Sequence, residues 1–358
     1  MKGMPSGGFN RDFHNPSYIT VALHGGSNVS LNLNHFIFML LDSCTSLCPC
    51  IIDQDINPYV DQWEAEGIFP AHKVFKLLGN AGFLGVNKPS SSYLISSLTT
   101  LSLCVVCIYC RFGSTELKKE FLLPSIMGDK VACLGVSEVR AGSDVASTLP
   151  SFSIPPVFYS KRIPPTPIWV HIARKIDKMG MRSSDTAKVF FDDVRVPCKN
   201  LIGQEGMGFT YQMLQFQEER LWACVLTMMD NIIQETIQYT RQSRIFKMPV
   251  LYHQSVHFRL AELETEIELL RSLLHRSTAL YIKGNDVTKL ASMAKLKAGR
   301  LSREVGDSCL QYWGGMGFTS DVLVSRFYRD ARLLSIGGGA DEVMLSIICK
   351  YMDTLPKK

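Results

Sequence analysis

The sequence lacks a strong charge of either sign: 38 Lys and Arg stand against 33 Asp and Glu, a formal net charge of +5 over 358 residues. So small an excess gives no basic footprint of the kind that nucleic-acid binders need. The low hydrophobicity of disordered chains is missing too, since 46% of the residues are hydrophobic and 20% charged. Global disorder is thereby excluded. Nor is there a dense cysteine framework. Eleven Cys, an odd number, are spread along a long chain, which suits a reduced compartment better than a small secreted disulfide domain. The N-terminus carries no compact secretory pattern and is too poor in Arg for a mitochondrial transit peptide.

Charge is absent altogether from Phe13 to Leu41 and from Ser91 to Cys110. The first stretch holds only a short apolar patch, His35 to Leu41. The second is long enough to cross a bilayer, at about 20 residues, but its many Ser and Thr favour a buried helix. There is no internal repeat, and the length suits about two domains.

From Asp53 to Val86 the pattern predicts helix, with Trp63, Val74, Phe75, Leu77 and Leu78 as core, Pro58 and Pro70 near helix starts, and Gly79, Gly82 and Gly85 as breaks. A second helical piece is expected from Ser114 to Met127. Strand signals appear at Val131 to Val136 and Lys188 to Val196. Between them, Ser151 to Pro167 has five prolines in seventeen positions, a composition that resists helix and central strand. The C-terminal part reads as four long helices: about Met207 to Arg241, one with an apolar stripe at Leu260, Leu263, Ile267, Leu270 and Leu274, about Val287 to Leu310, and about Asp341 to Met352. Short connections between them imply an antiparallel bundle.

Cys104, Cys107 and Cys110 have the spacing of metal ligands, but no turn residue or fourth ligand accompanies them, so they read as structural thiols, as do Cys44, Cys48 and Cys50; no metal site is expected. The run Gln311 to Phe318 is a glycine-rich turn closing a helix. A second run, Gly337 to Gly339, precedes the last helix and offers backbone N–H groups to an anionic or carbonyl ligand. Glu219 lies opposite the Leu221, Val225 and Met228 stripe, beside Phe216, Ala223 and Leu226. A carboxylate among such neighbours has its charged form disfavoured and suits a general base, whereas a solvated face would make it an ordinary glutamate.

Several blocks, in order, carry a resemblance: residues 55–87, the segment ending SEVRAGSD at Asp144, then KMGMRSSDTAKVFFDDVRVP, GQEGMGF, QEERLW, QYWGGMGF and YRDARLLSIGGGADEV. Together they are similar to the acyl-CoA dehydrogenase family, nearest its long-chain and isovaleryl subgroup. The resemblance implies a mainly α fold with a small β-domain: an atypical segment at 1–50, an N-terminal helical domain at 51–129 with an atypical stretch at 88–110, a truncated β-domain at 130–202 and a helical bundle at 203–358. It implies an FAD-dependent oxidation of an acyl-CoA to the trans-2-enoyl-CoA, with Glu219 as base and the Gly338 N–H on the thioester carbonyl. FAD contacts are implied at Ser137, Gly142, Ser143, Arg244, Phe246, Gln254, Gln311, Gly314 and Gly315, and substrate contacts at Ser143, Arg220 and Gly339. A homodimer or homotetramer, an electron-transfer flavoprotein as acceptor and a mitochondrial matrix location, or a cytoplasmic one in a bacterium, follow in the same way.

The sequence departs from the family pattern at identifiable places. Val139 and Arg140 replace Pro-Gly, Gly338 stands where most members carry the base, and Ala340 replaces a threonine. Ser243 takes the place of a flavin-binding arginine, with Arg244 one residue away, and Lys247 that of a glycine. The strands expected after Ser147 are absent from the sequence pattern. A catalytically inactive member acting only by oligomerisation is therefore the second hypothesis.

Overall fold

A computed structural model describes residues 51–66, 70–81, 84, 109, 111–132, 142–143, 158–159, 170–182, 186–191, 197–219 and 224–356. The cysteine clusters from Cys44 to Cys50 and from Cys104 to Cys110, and nearly all of the uncharged stretches, lie outside them. No helix among the described residues is long and apolar enough to cross a membrane.

Near the N-terminus, a π-turn (Ile52–Ile56) and a 3-10 turn (Asn57–Tyr59) with Pro58 as its second residue lead into helix α1 (Val60–Glu66). Pro70 caps α2 (Ala71–Asn80), its carbonyl accepting from the N–H groups of Lys73 and Val74 at 3.0 and 3.1 Å. This helix buries Val74, Phe75 and Leu78, a one-sided apolar stripe. Gly79, expected to break the helix, lies inside it. A Cβ there would sit 2.4 Å from the Met127 carbonyl, and one at Gly128 2.1 Å from the Phe75 oxygen. The two glycines mark a crossing of backbones, and Gly128, at φ +74°, also holds a left-handed conformation that favours glycine. Helix α3 spans 115–126 through a π-turn at Lys118–Leu122. Its N-cap is Ser114, whose Oγ accepts the Leu117 N–H at 3.2 Å.

Among the described residues the β-structure is small and all antiparallel. Strand β1 (Val131–Ala132) pairs with β2 (Phe158–Tyr159), and β3 (Val170–Lys175) with β4 (Ala187–Phe191), with a bulge between Ile172 and Arg174. Two expectations are corrected here. The proline-rich linker contains a strand, because Phe158 and Tyr159 sit between its two proline groups and keep their own N–H donors. A strand also follows Ser147: Val170 to Lys175 hydrogen-bonds to β4, a non-local pairing that a short, weakly alternating run does not announce.

Residues 207–241, expected as one helix, fall in two described helices, α4 (Gly208–Glu219) and α5 (Cys224–Gln242). A tight hairpin, β5 (Arg244–Ile245) and β6 (Met248–Pro249), leads to α6 (Gln254–Ile282), α7 (Thr288–Trp313), α8 (Leu323–Ala331) and α9 (Asp341–Tyr351). All five residues of the expected stripe on α6 are buried. Helix α7 lies at the centre and touches α5, α6, α8 and α9. Its buried face carries, besides Leu301 and Val305, the small residues Ala291, Ala294, Ala298, Gly299, Ser302 and Gly306, which let neighbouring backbones approach closely. A Cβ at Gly299 would come within 2.9 Å of the Leu334 oxygen. Helix α8 was not foreseen. It has nine residues and buries Val324, Phe327 and Ala331, which recur at helical spacing.

Candidate functional site

Glu219 is the last residue of α4; its side chain, Arg220 and Ser137 lie outside what is described. The start of α4 is set by the GQEGMGF turn. Gly203, at φ +69°, packs against the Tyr211 ring, where a Cβ would approach within 2.6 Å. The Gln204 N–H donates to the Tyr211 hydroxyl at 3.1 Å, and Tyr211 stacks on Phe112 with ring centroids 3.9 Å apart. These contacts fix α4 two turns before the position of Glu219.

Gly338 and Gly339 lie in the turn that opens α9, at φ +64° and +97°. The 3-10 turn before it (Arg332–Ser335) ends with the Leu333 carbonyl accepting the Ile336 and Gly337 N–H groups at 2.8 and 2.7 Å. Among the described residues no backbone acceptor takes the Gly338 N–H. Behind the turn, the buried Lys295 ammonium of α7 donates to the Gly339 carbonyl. Asp341, in the first turn of α9, pairs with Arg300 at 3.3 Å and Arg303 at 3.8 Å. Its carboxylate complements the positive end of the helix. Lys295 escaped the reading of the sequence. Its signal is a lysine in the alanine stripe of α7, four residues after Ala291 and three before Ala298.

A second group gathers at the other end of α7. Gln254, at the start of α6, and Gln311 line one open cavity of about 470 Å³ with Phe258, Arg259, Asp307 and Tyr312. Gly314 and Gly315 follow after Trp313; a Cβ on either would meet nothing within 4 Å. Trp313 anchors this end by stacking on Tyr239, with centroids 4.0 Å apart, and by donating from Nε1 to the Thr236 hydroxyl at 3.1 Å. Arg244 and Phe246 lie on the β5–β6 hairpin. The Phe246 ring is 85% exposed and meets His253 edge-on at 6.4 Å, and Arg244 Nη1 donates to the Lys247 carbonyl at 3.4 Å. Gly142 and Ser143 are exposed on a bend.

The structure thus brings Gln254 and Gln311 together and keeps both away from Gly338. From Lys295 to Gln311 α7 advances sixteen residues, about 24 Å at 1.5 Å per residue. A larger cavity, about 670 Å³ and lined by Ile233, Ile237, Leu251, His257, Leu260 and Glu264 among others, holds none of the expected residues. The Glu264 carboxyl there is raised above its ordinary value, first by burial and then by Asp230 and Glu268. Among the described residues no cluster of side chains suits a metal ion.

Gln254 and Gln311 thus place side-chain amides beside one open cavity, Gly314 and Gly315 leave backbone bare, and Arg244 is exposed on its hairpin.

Residues 206–352 match the family model for the acyl-CoA dehydrogenase C-terminal domain. The chain is 27% identical over 364 residues to the mitochondrial short-chain specific acyl-CoA dehydrogenase of Mus musculus, covering 85% of this chain and 88% of that protein. It is 36% identical over 181 residues to the mouse long-chain specific enzyme, covering 50% and 42%. The crystal structure of acyl-CoA dehydrogenase from Geobacillus kaustophilus superposes with a TM-score of 0.74 at 25% identity, over 90% of this chain and 99% of that one. Helical bundle, glycine turns and similarity over most of its length agree: residues 206–352 carry the acyl-CoA dehydrogenase C-terminal domain, and the chain as a whole is similar to acyl-CoA dehydrogenases.

Proposed function

We propose that the protein is an FAD-dependent acyl-CoA dehydrogenase that converts an acyl-CoA thioester to the trans-2-enoyl-CoA. The observation that carries this reading is the glycine turn before α9, where the Gly338 N–H has no backbone acceptor among the described residues and the segment around it is held on both sides. A donor so placed suits a thioester oxygen on which charge develops as the α-proton leaves. Glu219 is the base: its carboxylate takes the α-proton, and Arg220 and Ser143 belong to the substrate side of the site. FAD, when bound, supplies the two-electron acceptor for the hydride leaving the β-carbon. Gln254, Gln311, Gly314, Gly315, Arg244 and Phe246 form its phosphate-binding surface, and Ser137, Gly142 and Ser143 belong to the flavin side.

The two groups of residues sit about 24 Å apart along α7. This separation supports a homo-oligomer in which Gln311 and Gly315 serve the cofactor of a neighbouring subunit. An electron-transfer flavoprotein is the acceptor this reading calls for.

The test is flavin content of the purified protein, followed by bleaching of its visible spectrum with acyl-CoA substrates of graded length. Glu219→Gln should lower turnover by about a hundredfold or more, the usual weight of a general base, with the fold and flavin content unchanged. Full turnover in that variant would remove Glu219 as base. A folded protein that takes up no added FAD would overturn the reading and leave the non-catalytic, oligomerising member.

A further inference from the structure

Lys295 is 2% exposed, on the apolar side of the central helix. Taking an ammonium out of water is costly unless a partner satisfies it, and a flexible apolar side chain among these alanines avoids that cost altogether. Packing therefore does not explain a lysine here. What it touches does: Nζ donates to the carbonyl of Gly339, the residue after the proposed thioester donor. Gly339 is gripped from a second direction by Met344, whose Cε lies 2.6 Å from where a Cβ would be.

The turn itself is a run of three glycines, with the greatest backbone freedom of any residue. Left to itself it would swing, and a hydrogen-bond donor stabilises developing charge only when it is held in place beforehand. On the reading of Gly338 given above, we infer that Lys295 is a positioning residue for the reaction. Its ammonium clamps the Gly339 carbonyl so that the Gly338 N–H stays aimed at the thioester oxygen, and its charge adds positive potential where the enolate forms.

The inference rests on that reading, and the test separates the two. Acetoacetyl-CoA ionises to an enolate that absorbs in the ultraviolet, so a pH titration of the protein-bound probe reports enolate stabilisation without turnover. Lys295→Met should raise the apparent pKa of the bound probe by about one to two pH units, the scale of losing one fixed donor and a nearby charge. Lys295→Arg should stay close to the parent, and kcat should fall more than KM rises in the Met variant. If Lys295→Met does not fold, Lys295→Gln serves in its place, since it loses the charge and keeps a donor. An unchanged titration in the neutral variant, with the parent shifting the probe, would overturn the role of Lys295 alone. A parent protein that leaves the enolisation of the probe unchanged would overturn the donor role of Gly338 and this inference with it.

Discussion

At Lys247 the backbone holds φ +68°, and at its neighbour Phe246 φ +49°. The two are the turn of the β5–β6 hairpin, a pair of left-handed residues of the kind Asn and Gly usually fill. A side chain in that conformation costs about 1 to 2 kcal/mol, part of which a glycine gives back through the freedom of its unfolded chain. Lys247→Gly should therefore stabilise the protein by about 0.5 to 1 kcal/mol, read as a higher denaturation midpoint at unchanged slope. A lower midpoint would mean that the Lys247 side chain makes a contact worth more than the strain. Residues of this kind were partly legible: the sequence shows a lysine where the family carries glycine, but the strain follows only from the observed φ. Gly338 was legible through its place before the last helix. Lys295 was not, because a lysine inside an alanine stripe has the same local pattern whether it faces water or a carbonyl. Cys309 is a chemical dead end by contrast, its thiol pushed up to about 11 by burial on α7.

Among the elements, the β3–β4 connection shows how a local signal is completed elsewhere. Met181 donates its N–H to Asp330 Oδ1 of α8 at 2.5 Å, and a Cβ on Gly180 would come within 2.6 Å of the Arg329 carbonyl. Arg326 of the same helix pairs with Asp61 of α1 and, at 3.6 Å, with Glu64. Helix α8 therefore fastens both the hairpin and the N-terminal helix. Burial, chiefly, and then Glu64 hold the Asp330 carboxyl above its ordinary value, against the opposing Met181 N–H and arginines 329 and 326. A carboxyl with a raised folded pKa contributes stability that is fully present below its unfolded pKa and lost as pH rises through the folded one. Relative to Asp330→Asn, the parent should gain in melting temperature as pH falls from neutral into the carboxylate range. Melting curves of the two that run parallel at every pH would refute this. None of these ties lies within a single sequence window, so β3 is not announced by its own residues as the long stripe of α6 is.

For the whole molecule, stability concentrates where α5, α6, α7 and α8 meet. Leu263 and Leu269 lie on the same helix, but the first is fully buried and the second 60% exposed. Leu263→Ala should cost about 2 to 5 kcal/mol, from lost burial and the cavity left behind. Leu269→Ala should stay within about 0.5 kcal/mol. Equal losses in chemical denaturation would mean that Leu269 is covered in the assembled protein, a result that would bear directly on the proposed oligomer.

What the sequence determined by itself is whatever repeats at short range. The apolar period of the long helices, the glycine turns at their ends and the ordered blocks of family resemblance are all carried by neighbouring residues. Tertiary structure alone decided which of those features meet. It turned Gly79 from a helix break into a backbone crossing with Gly128, paired β3 with β4, and set Gln254 against Gln311 at one end of α7 and Lys295 against Gly339 at the other. Such contacts join residues dozens of positions apart, and their energies come from burial and charge compensation that exist only once the chain has folded. The periodicity of α7 says that one face is buried; only its neighbours say that the lysine on that face holds a carbonyl.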